Sequence, residues 1–316
     1  MASGSKTVEP RSVDEAAEAL ATASREGRRV SIERDGGELV VSTASLDRVL
    51  EHEAGDLTVT VEAGIRLSVL NERLAAVGQM LALDPPGDPT VGACLAGNLS
   101  GPRRHRYGAP RDLALGVTLV LPDGTVASAG GKVVKNVAGY DLGKLACGSR
   151  GALGLIARVS LRLHPLPAAE QSLVAQIATA EDAQAAWQRL ARSPLVPSAV
   201  DLLWRGAGSR LAVLLEGSER AVAAQLATGC DLLGGEEADA DVWTVARGWQ
   251  ARSLGRISFP PRGLAQTLGA LPEALVRPGV GSAYSMAPVA DQPGGGARLL
   301  WERVRREFDP GGMLVT

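Results

Sequence analysis

Glycines recur every few residues between Asp84 and Pro165, with an asparagine, a serine and a run of arginines set among them. Glycine is favoured where backbone turns with positive φ or comes very close to a ligand. Thr90-Val91-Gly92 and Ala96-Gly97-Asn98-Leu99-Ser100-Gly101 would present bare backbone amides beside Asn and Ser side chains. Such donors suit the phosphates and polar ring edge of a flavin or nucleotide. The competing reading is a glycine-rich loop that only packs tightly. Arg103-Arg104-His105-Arg106-Tyr107 follows at once. Four potential cations in a row suit a phosphate or a substrate carboxylate, with Arg106 the weak candidate for the latter. Their bland reading is a solvated basic face.

Two further motifs lie downstream. Gly131-Lys132-Val133-Val134-Lys135-Asn136-Val137-Ala138-Gly139-Tyr140-Asp141-Leu142 has good loop hydrogen bonders and is equally readable as a structural loop. Gly148-Ser149-Arg150-Gly151-Ala152-Leu153-Gly154 leads into a strand. The nicotinamide fingerprint has another spacing and leads into a helix, so a Rossmann domain is disfavoured. There is no G-x-x-x-x-G-K-[ST] and no G-x-S-x-G. His52, His105 and His164 share no metal-like spacing, and no metal is expected. Cys94, Cys147 and Cys230 are far apart, which excludes a cysteine cluster for iron–sulfur ligation and fits a reducing compartment.

The elements that must hold these motifs are legible from periodicity. Ser12–Glu26 reads as a capped helix, Arg28–Ile32 and Glu38–Ser42 as strands about a polar turn, Leu57–Ala63 as a strand and Leu67–Val77 as a helix closed by Gly78. Gly116–Leu121 and Thr125–Ser128 form a hairpin through Pro122-Asp123-Gly124, and Leu153–Leu163 a long alternating strand. His164-Pro165-Leu166-Pro167 marks a boundary between a domain at 1–167 and another at 168–316. Beyond it come strand Leu173–Ile177, helix Ala180–Arg192, strands Ala199–Trp204 and Arg210–Glu216, and helix Glu219–Leu233. That βαββα order predicts a ferredoxin-like antiparallel sheet with helices on one face. Strand Gly255–Phe259 and helix Pro261–Leu271 continue it, and Gly294-Gly295-Gly296 then leads into a separate helix, Ala297–Phe308. With 316 residues, 45% hydrophobic and net charge −2, the chain has room for two cores and no global pull toward nucleic acid or anionic membrane. The first twenty residues lack a signal-type apolar core and no apolar run is long enough to span a bilayer, so a cytoplasmic location is expected.

Taken together, GGKVVKNVAGYDLGKLACGSRGALGLI, SGPRRHRYGAPRDLALGVTLVLPDG, VSTASLDRVLEHEAGDLTVTVEAG and REFDPGGML resemble the vanillyl-alcohol-oxidase/PCMH flavoprotein superfamily. Within it, they are most similar to the FAD-binding subunits of bacterial glycolate oxidases. The resemblance implies an α+β fold: a PCMH-type FAD-binding domain of two α/β subdomains, then a ferredoxin-like cap over Glu170–Met286, with a C-terminal helix returning to the first domain. It implies non-covalent FAD held by Pro86, Gly87, Asp88, Thr90, Val91, Gly92, Gly97, Asn98, Ser100, Gly101, Tyr107, Gly108, Gly151, Gly154 and Ile156. It also implies oxidation of a small 2-hydroxy acid, glycolate to glyoxylate, by hydride transfer to flavin N5, beside a second flavin subunit and an iron–sulfur subunit. One stretch departs from the pattern. Where relatives carry a glycine-rich loop, this chain has only Glu33-Arg34-Asp35-Gly36-Gly37-Glu38. An acid about 5 Å from a phosphate at an effective dielectric near 20 costs on the order of 3 kcal/mol. The short loop therefore supports a second reading, a chain that keeps the fold without FAD and serves as a non-catalytic scaffold in the same kind of complex.

Overall fold

The computed structural model describes residues 6–34, 36–131, 141–206, 208–289 and 295–315. Of the motifs above, Asp35 and residues 132–140 of the lysine-containing loop lie outside the described residues.

The first layer is a small parallel sheet. It contains β1 (Lys6–Val8), β2 (Val30–Ile32) and β3 (Leu39–Val41), with the C-terminal pair Leu314–Val315 on the far side of β2. Helix α1 (Val13–Arg25) covers it with Val13, Ala16, Leu20 and Ala23, the inward stripe of a 3.6-residue period. Ser12 caps this helix, its hydroxyl accepting from the Glu15 amide.

The second layer is an antiparallel sheet. Its strands are β4 (Val49–Glu53) and β5 (Thr58–Glu62) and, after the short β6 (Gln79–Met80), β7 (Ala114–Val120), β8 (Val126–Gly130) and β9 (Leu155–Arg162), in the order β4-β5-β9-β7-β8. Its inner face packs on α2 (Leu67–Ala75) and α3 (Val91–Gly97) through Val59, Val61, Leu70, Leu74, Leu95, Val117 and Val159. Alternation along these strands sends the opposite residues, Thr60, Thr118, Ser128 and Ser160, to the other face, where they bond in pairs. At the β7–β8 hairpin, Gly124 has φ +87° and a Cβ there would lie 2.7 Å from the Ala17 carbonyl oxygen, so the turn seats directly on α1. Short helices α4 (Arg104–Tyr107), α5 (Pro110–Leu113) and α6 (Leu142–Ala146) carry the connections.

Next, β10 (His164–Pro165) pairs with β6, and β11 (Ala169–Ile177) opens a new sheet. There follow α7 (Ala180–Ala191), β12 (Ala199–Trp204), β13 (Ser209–Gly217), α8 (Glu219–Leu233), β14 (Glu236–Ala238), α9 (Asp241–Arg252), β15 (Gly255–Ser258), α10 (Leu264–Gly269), β16 (Ala274–Arg277) and β17 (Ser282–Ser285). All strand pairs are antiparallel, in the order β14-β11-β13-β12-β16-β17-β15. The first four in that row are the ferredoxin-like arrangement, extended at the β12 side by three more strands. Helices α7, α8 and α10 pack on one face. The other face is not bare as the βαββα order suggested: α9 covers it with Val242, Trp243, Ala246 and Trp249. Helix α11 (Gly295–Phe308) leads back, yet its Leu299 and Leu300 are exposed, and the following strand Leu314–Val315 makes the sheet contact with the first domain.

Candidate functional site

A cavity of about 280 Å³ opens between the small sheet and α3. Ile32, Glu33, Arg34 and Thr43 form one wall, Gly92, Ala93, Ala96 and Gly97 the second, and Arg150, Gly151, Gly154 and Ile156 the third. The glycines and alanines leave backbone bare on the α3 side. Gly151, at φ +85°, turns the chain over Ile32, with 3.5 Å left for a Cβ. Five residues singled out from the sequence, Gly92, Gly97, Gly151, Gly154 and Ile156, meet here. The apolar floor with two arginines at its rim can take a flat ring attached to a phosphate chain.

The other glycine-rich positions do different work. Sequence spacing suggested free amides at Val91 and Gly92, but the structure corrects this. The Val91 amide donates to Ile65 O, that of Gly92 to Ala63 O at 2.7 Å, and that of Ala93 to the Thr90 hydroxyl. Helix α3 starts hard against the end of β5, so its first amides are consumed by the fold, and a Cβ on Gly92 would lie 2.8 Å from that of Ala63. Asp88 accepts from the amide and hydroxyl of Ser68, which ties Pro86–Thr90 to the start of α2. Gly87 stands open at φ +71° with nothing within 4 Å of a Cβ. Gly101 has a packing reason: a Cβ there would lie 1.8 Å from the Asp84 carbonyl oxygen. Asn98 adopts φ +48°, and its buried Oδ1 has no partner among the described residues.

The short loop resolves its own charges. Glu33, at φ +61°, turns its carboxylate to the amide and hydroxyl of Thr43 and the hydroxyl of Ser42. Glu38 accepts from the Arg29 amide at 3.0 Å, away from the cavity. Arg34 donates to the Arg150 carbonyl oxygen across the cavity's edge. Two of the loop's acids are therefore engaged by their own chain, and its arginine closes over the rim.

The basic run lies in a seam between the two domains. Arg103 donates to Glu216 at 2.8 Å and to Glu170 at 2.8 Å, and the Tyr107 hydroxyl donates to the other Glu216 oxygen at 2.9 Å. The Glu216 side chain is 1% exposed. Burial and the adjacent Glu216 charge raise the Tyr107 pKa. Arg106 donates to the Ser198 hydroxyl and the Glu216 carbonyl, beside a cavity of about 480 Å³ that also contains Tyr107, His164 and Gly217. Arg103 and Arg106 thus bind the cap domain itself. His105 packs edge-on against Trp187, and burial lowers its pKa. His164 packs edge-on against Tyr107 with ring centroids 4.8 Å apart. Asp84 accepts from the Arg103 amide, and desolvation pushes its pKa up to about 6. Deeper in the cap, Arg277 and Asp201 form an ion pair at 3.1 Å, exposed by 1% and 0%. Arg277 also donates to Gln250, whose amide reaches Ser100 O at 2.8 Å. Gly108, next to Tyr107, turns at φ +84° against Asp112. Among the described residues no three His, Cys, Asp or Glu side chains gather as metal ligands would, and no helix is long and apolar enough to cross a membrane.

Sequence reasoning missed Arg34, Thr43, Ala93 and Arg150. Arg150 stood inside a motif already singled out, and Arg34 inside the loop that looked too short. Thr43 carried no local signal, because its role depends on a carboxylate ten residues back.

A family model described as FAD binding domain matches residues 5–130. The glycolate oxidase subunit GlcE of Escherichia coli (strain K12) is 34% identical over 221 residues, which is 67% of this chain and 61% of that protein. The mitochondrial D-lactate dehydrogenase [cytochrome] 1 of Saccharomyces cerevisiae is 34% identical over 50% of this chain and 27% of its own length. The glycolate oxidase subunit GlcD of Bacillus subtilis is 30% identical over 53% of this chain and 36% of its own length. The chain therefore spans less than two thirds of each of these relatives. Among solved structures, an alkyldihydroxyacetonephosphate synthase superposes with a TM-score of 0.75 at 17% identity, over 97% of this chain and 75% of the other. At that identity the likeness speaks for the fold.

Proposed function

We propose that this chain is a PCMH-type FAD-binding flavoprotein, the FAD-linked subunit of a 2-hydroxy-acid oxidoreductase acting on glycolate. One observation carries the proposal: the cavity between the small sheet and α3, walled by glycines and alanines and rimmed by Arg34 and Arg150. Its residues fit the cofactor. The apolar floor of Ile32, Ala96 and Ile156 suits a flat ring, and the arginines balance phosphate charge that Glu33, already engaged by Thr43, does not repel at full strength. Gly97, Gly151 and Gly154 would border the phosphate-bearing end. Gly87, Asn98, Ser100 and Gly101 lead from it toward the seam under the cap. Bound FAD would supply the electron acceptor for the hydroxyl-bearing carbon of the substrate. The chain's own part is to hold it, and to close the cap over it through Arg103, Tyr107 and Glu216.

The cysteines support a partnered arrangement. Cys94 is buried and Cys147 is pushed up to about 11 by burial, so neither is suited to ligate an iron–sulfur cluster in this chain. Electrons would leave through a second flavin subunit and an iron–sulfur subunit, in the cytoplasm. The short loop at Glu33–Glu38 favours a second reading, the flavin-free scaffold. Anaerobic addition of glycolate to the purified yellow protein separates the two. Loss of flavin absorbance supports the enzyme. Colourless protein that takes up no added FAD supports the scaffold.

A further inference from the structure

Four arginines approach the seam where Ser100 meets the cap, and they are not alike. Arg103 is paired with Glu216 and Glu170, and Arg277 with Asp201. Among the described residues no ion pair joins Arg104 or Arg256 to a carboxylate. Among the described residues, the hydrogen bond Arg104 makes through its side chain goes to the Ser100 hydroxyl, at 3.2 Å. Arg256, exposed on the edge strand β15, lies over the Tyr284 ring at 5.7 Å, directly opposite it in register. Arg277 lies over the same ring at 5.0 Å and donates to its hydroxyl at 3.2 Å.

We infer that Arg104 and Arg256, with the Tyr284 hydroxyl between them, form an anion subsite that takes the carboxylate of a small organic acid. The continuity is short. Arg104 holds Ser100, Ser100 O accepts from Gln250, Gln250 accepts from Arg277, and Arg277 holds Tyr284 beneath Arg256. Burial first, and then the charge of Arg256, lower the Arg104 pKa against the smaller upward pull of Tyr284 and Asp112; like charges that still dominate a site are stabilised when an anion arrives. Tyr284 accepts from Arg277, so its own proton is free to be donated. Two residues along the same strand face, the fully buried Ser282 hydroxyl has no partner among the described residues. The guanidinium pair is open to solvent at Arg256 and closed at Arg277, so a ligand would enter from the edge of the cap sheet. Resting on the proposed oxidation of a 2-hydroxy acid, the subsite would hold the carboxylate beside the segment Asn98–Gly101. This role passes to Arg104 and Arg256 because Arg106, the residue favoured from sequence, is committed to Ser198 and Glu216.

The test is calorimetric titration of oxalate, and separately of inorganic phosphate, into the full-length protein with its flavin content recorded. Wild type should bind oxalate, and bind it more tightly than phosphate. Arg256→Gln and Arg104→Gln should each weaken oxalate at least tenfold with flavin content unchanged. Arg256 is exposed on an edge strand, so its variant decides the matter if the Arg104 variant does not fold. Oxalate binding by Arg256→Gln within twofold of wild type overturns the subsite, as does tighter binding of phosphate than of oxalate. Protein without flavin speaks against the proposed function instead. In that case the same comparison of Arg256→Gln with wild type still decides the subsite.

Discussion

Glu216→Ala should separate the two domains energetically. The wild-type carboxylate is buried and accepts from Arg103 on one oxygen and Tyr107 on the other. Removing one partner of a buried pair costs about 3–5 kcal/mol when the other charge is stranded. Here Arg103 keeps Glu170, whose side chain is 50% exposed, so the ion-pair part falls to about 2 kcal/mol. The Tyr107 hydroxyl adds about 1 kcal/mol. The expected loss is about 3 kcal/mol, felt at the domain interface. Four of the five tryptophans, at positions 187, 204, 243 and 249, lie in the cap, so in a background where Trp301 on α11 is replaced by Phe the fluorescence reports the cap, whereas far-ultraviolet circular dichroism reports both domains. With Glu216 intact the two probes should trace one urea transition. In Glu216→Ala they should part, with the fluorescence midpoint lowered. Coincident transitions at the wild-type midpoint would refute the assignment of Arg103 and Tyr107 to cap docking.

Three further outcomes follow from the same geometry. Asp84 in the folded protein keeps its proton to about pH 6, against 3.8 unfolded, so stability should fall as pH rises through that window. The full shift is worth about 3 kcal/mol; Asp84→Asn should remove that contribution, so its unfolding free energy should fall less than wild type's from pH 4 to 7, and an unchanged pH dependence would contradict the shift. Arg34→Ala should weaken FAD binding to apoprotein by about tenfold in a fluorescence-quenching titration, as expected for one charge-assisted contact at an exposed rim; an unchanged Kd would remove Arg34 from the site. Gly101→Ala should cost more than about 3 kcal/mol in thermal unfolding, because its Cβ would lie inside contact distance of the Asp84 backbone, and a variant as stable as wild type would contradict that packing.

Much of the scaffold was readable in advance because it rests on local periodicity. The stripe in Val13–Arg25, the alternation of Leu155–Arg162 and the capped helix Glu219–Leu233 each announce themselves within one element. Helix α9 has a regular apolar stripe, Val242, Trp243, Ala246 and Trp249, with Thr244, Arg247 and Gly248 on its other face, and it packs that stripe on the cap sheet opposite the face the βαββα order assigns to helices. The site was half readable. Gly97, Gly151 and Gly154 stood out by type and spacing. Whether an amide is free depends on its neighbours in space: Val91 and Gly92 donate to Ile65 and Ala63, far back in sequence. Likewise nothing within Arg103–Tyr107 reveals that Glu216, more than a hundred residues later, is the acid it meets.

The most direct measurement is FAD stoichiometry in the purified full-length chain, read from its visible spectrum before and after incubation with excess FAD and desalting. The account predicts a yellow protein that retains about one FAD per chain, as a single cavity of this kind would hold. A colourless protein that retains none after incubation would contradict it.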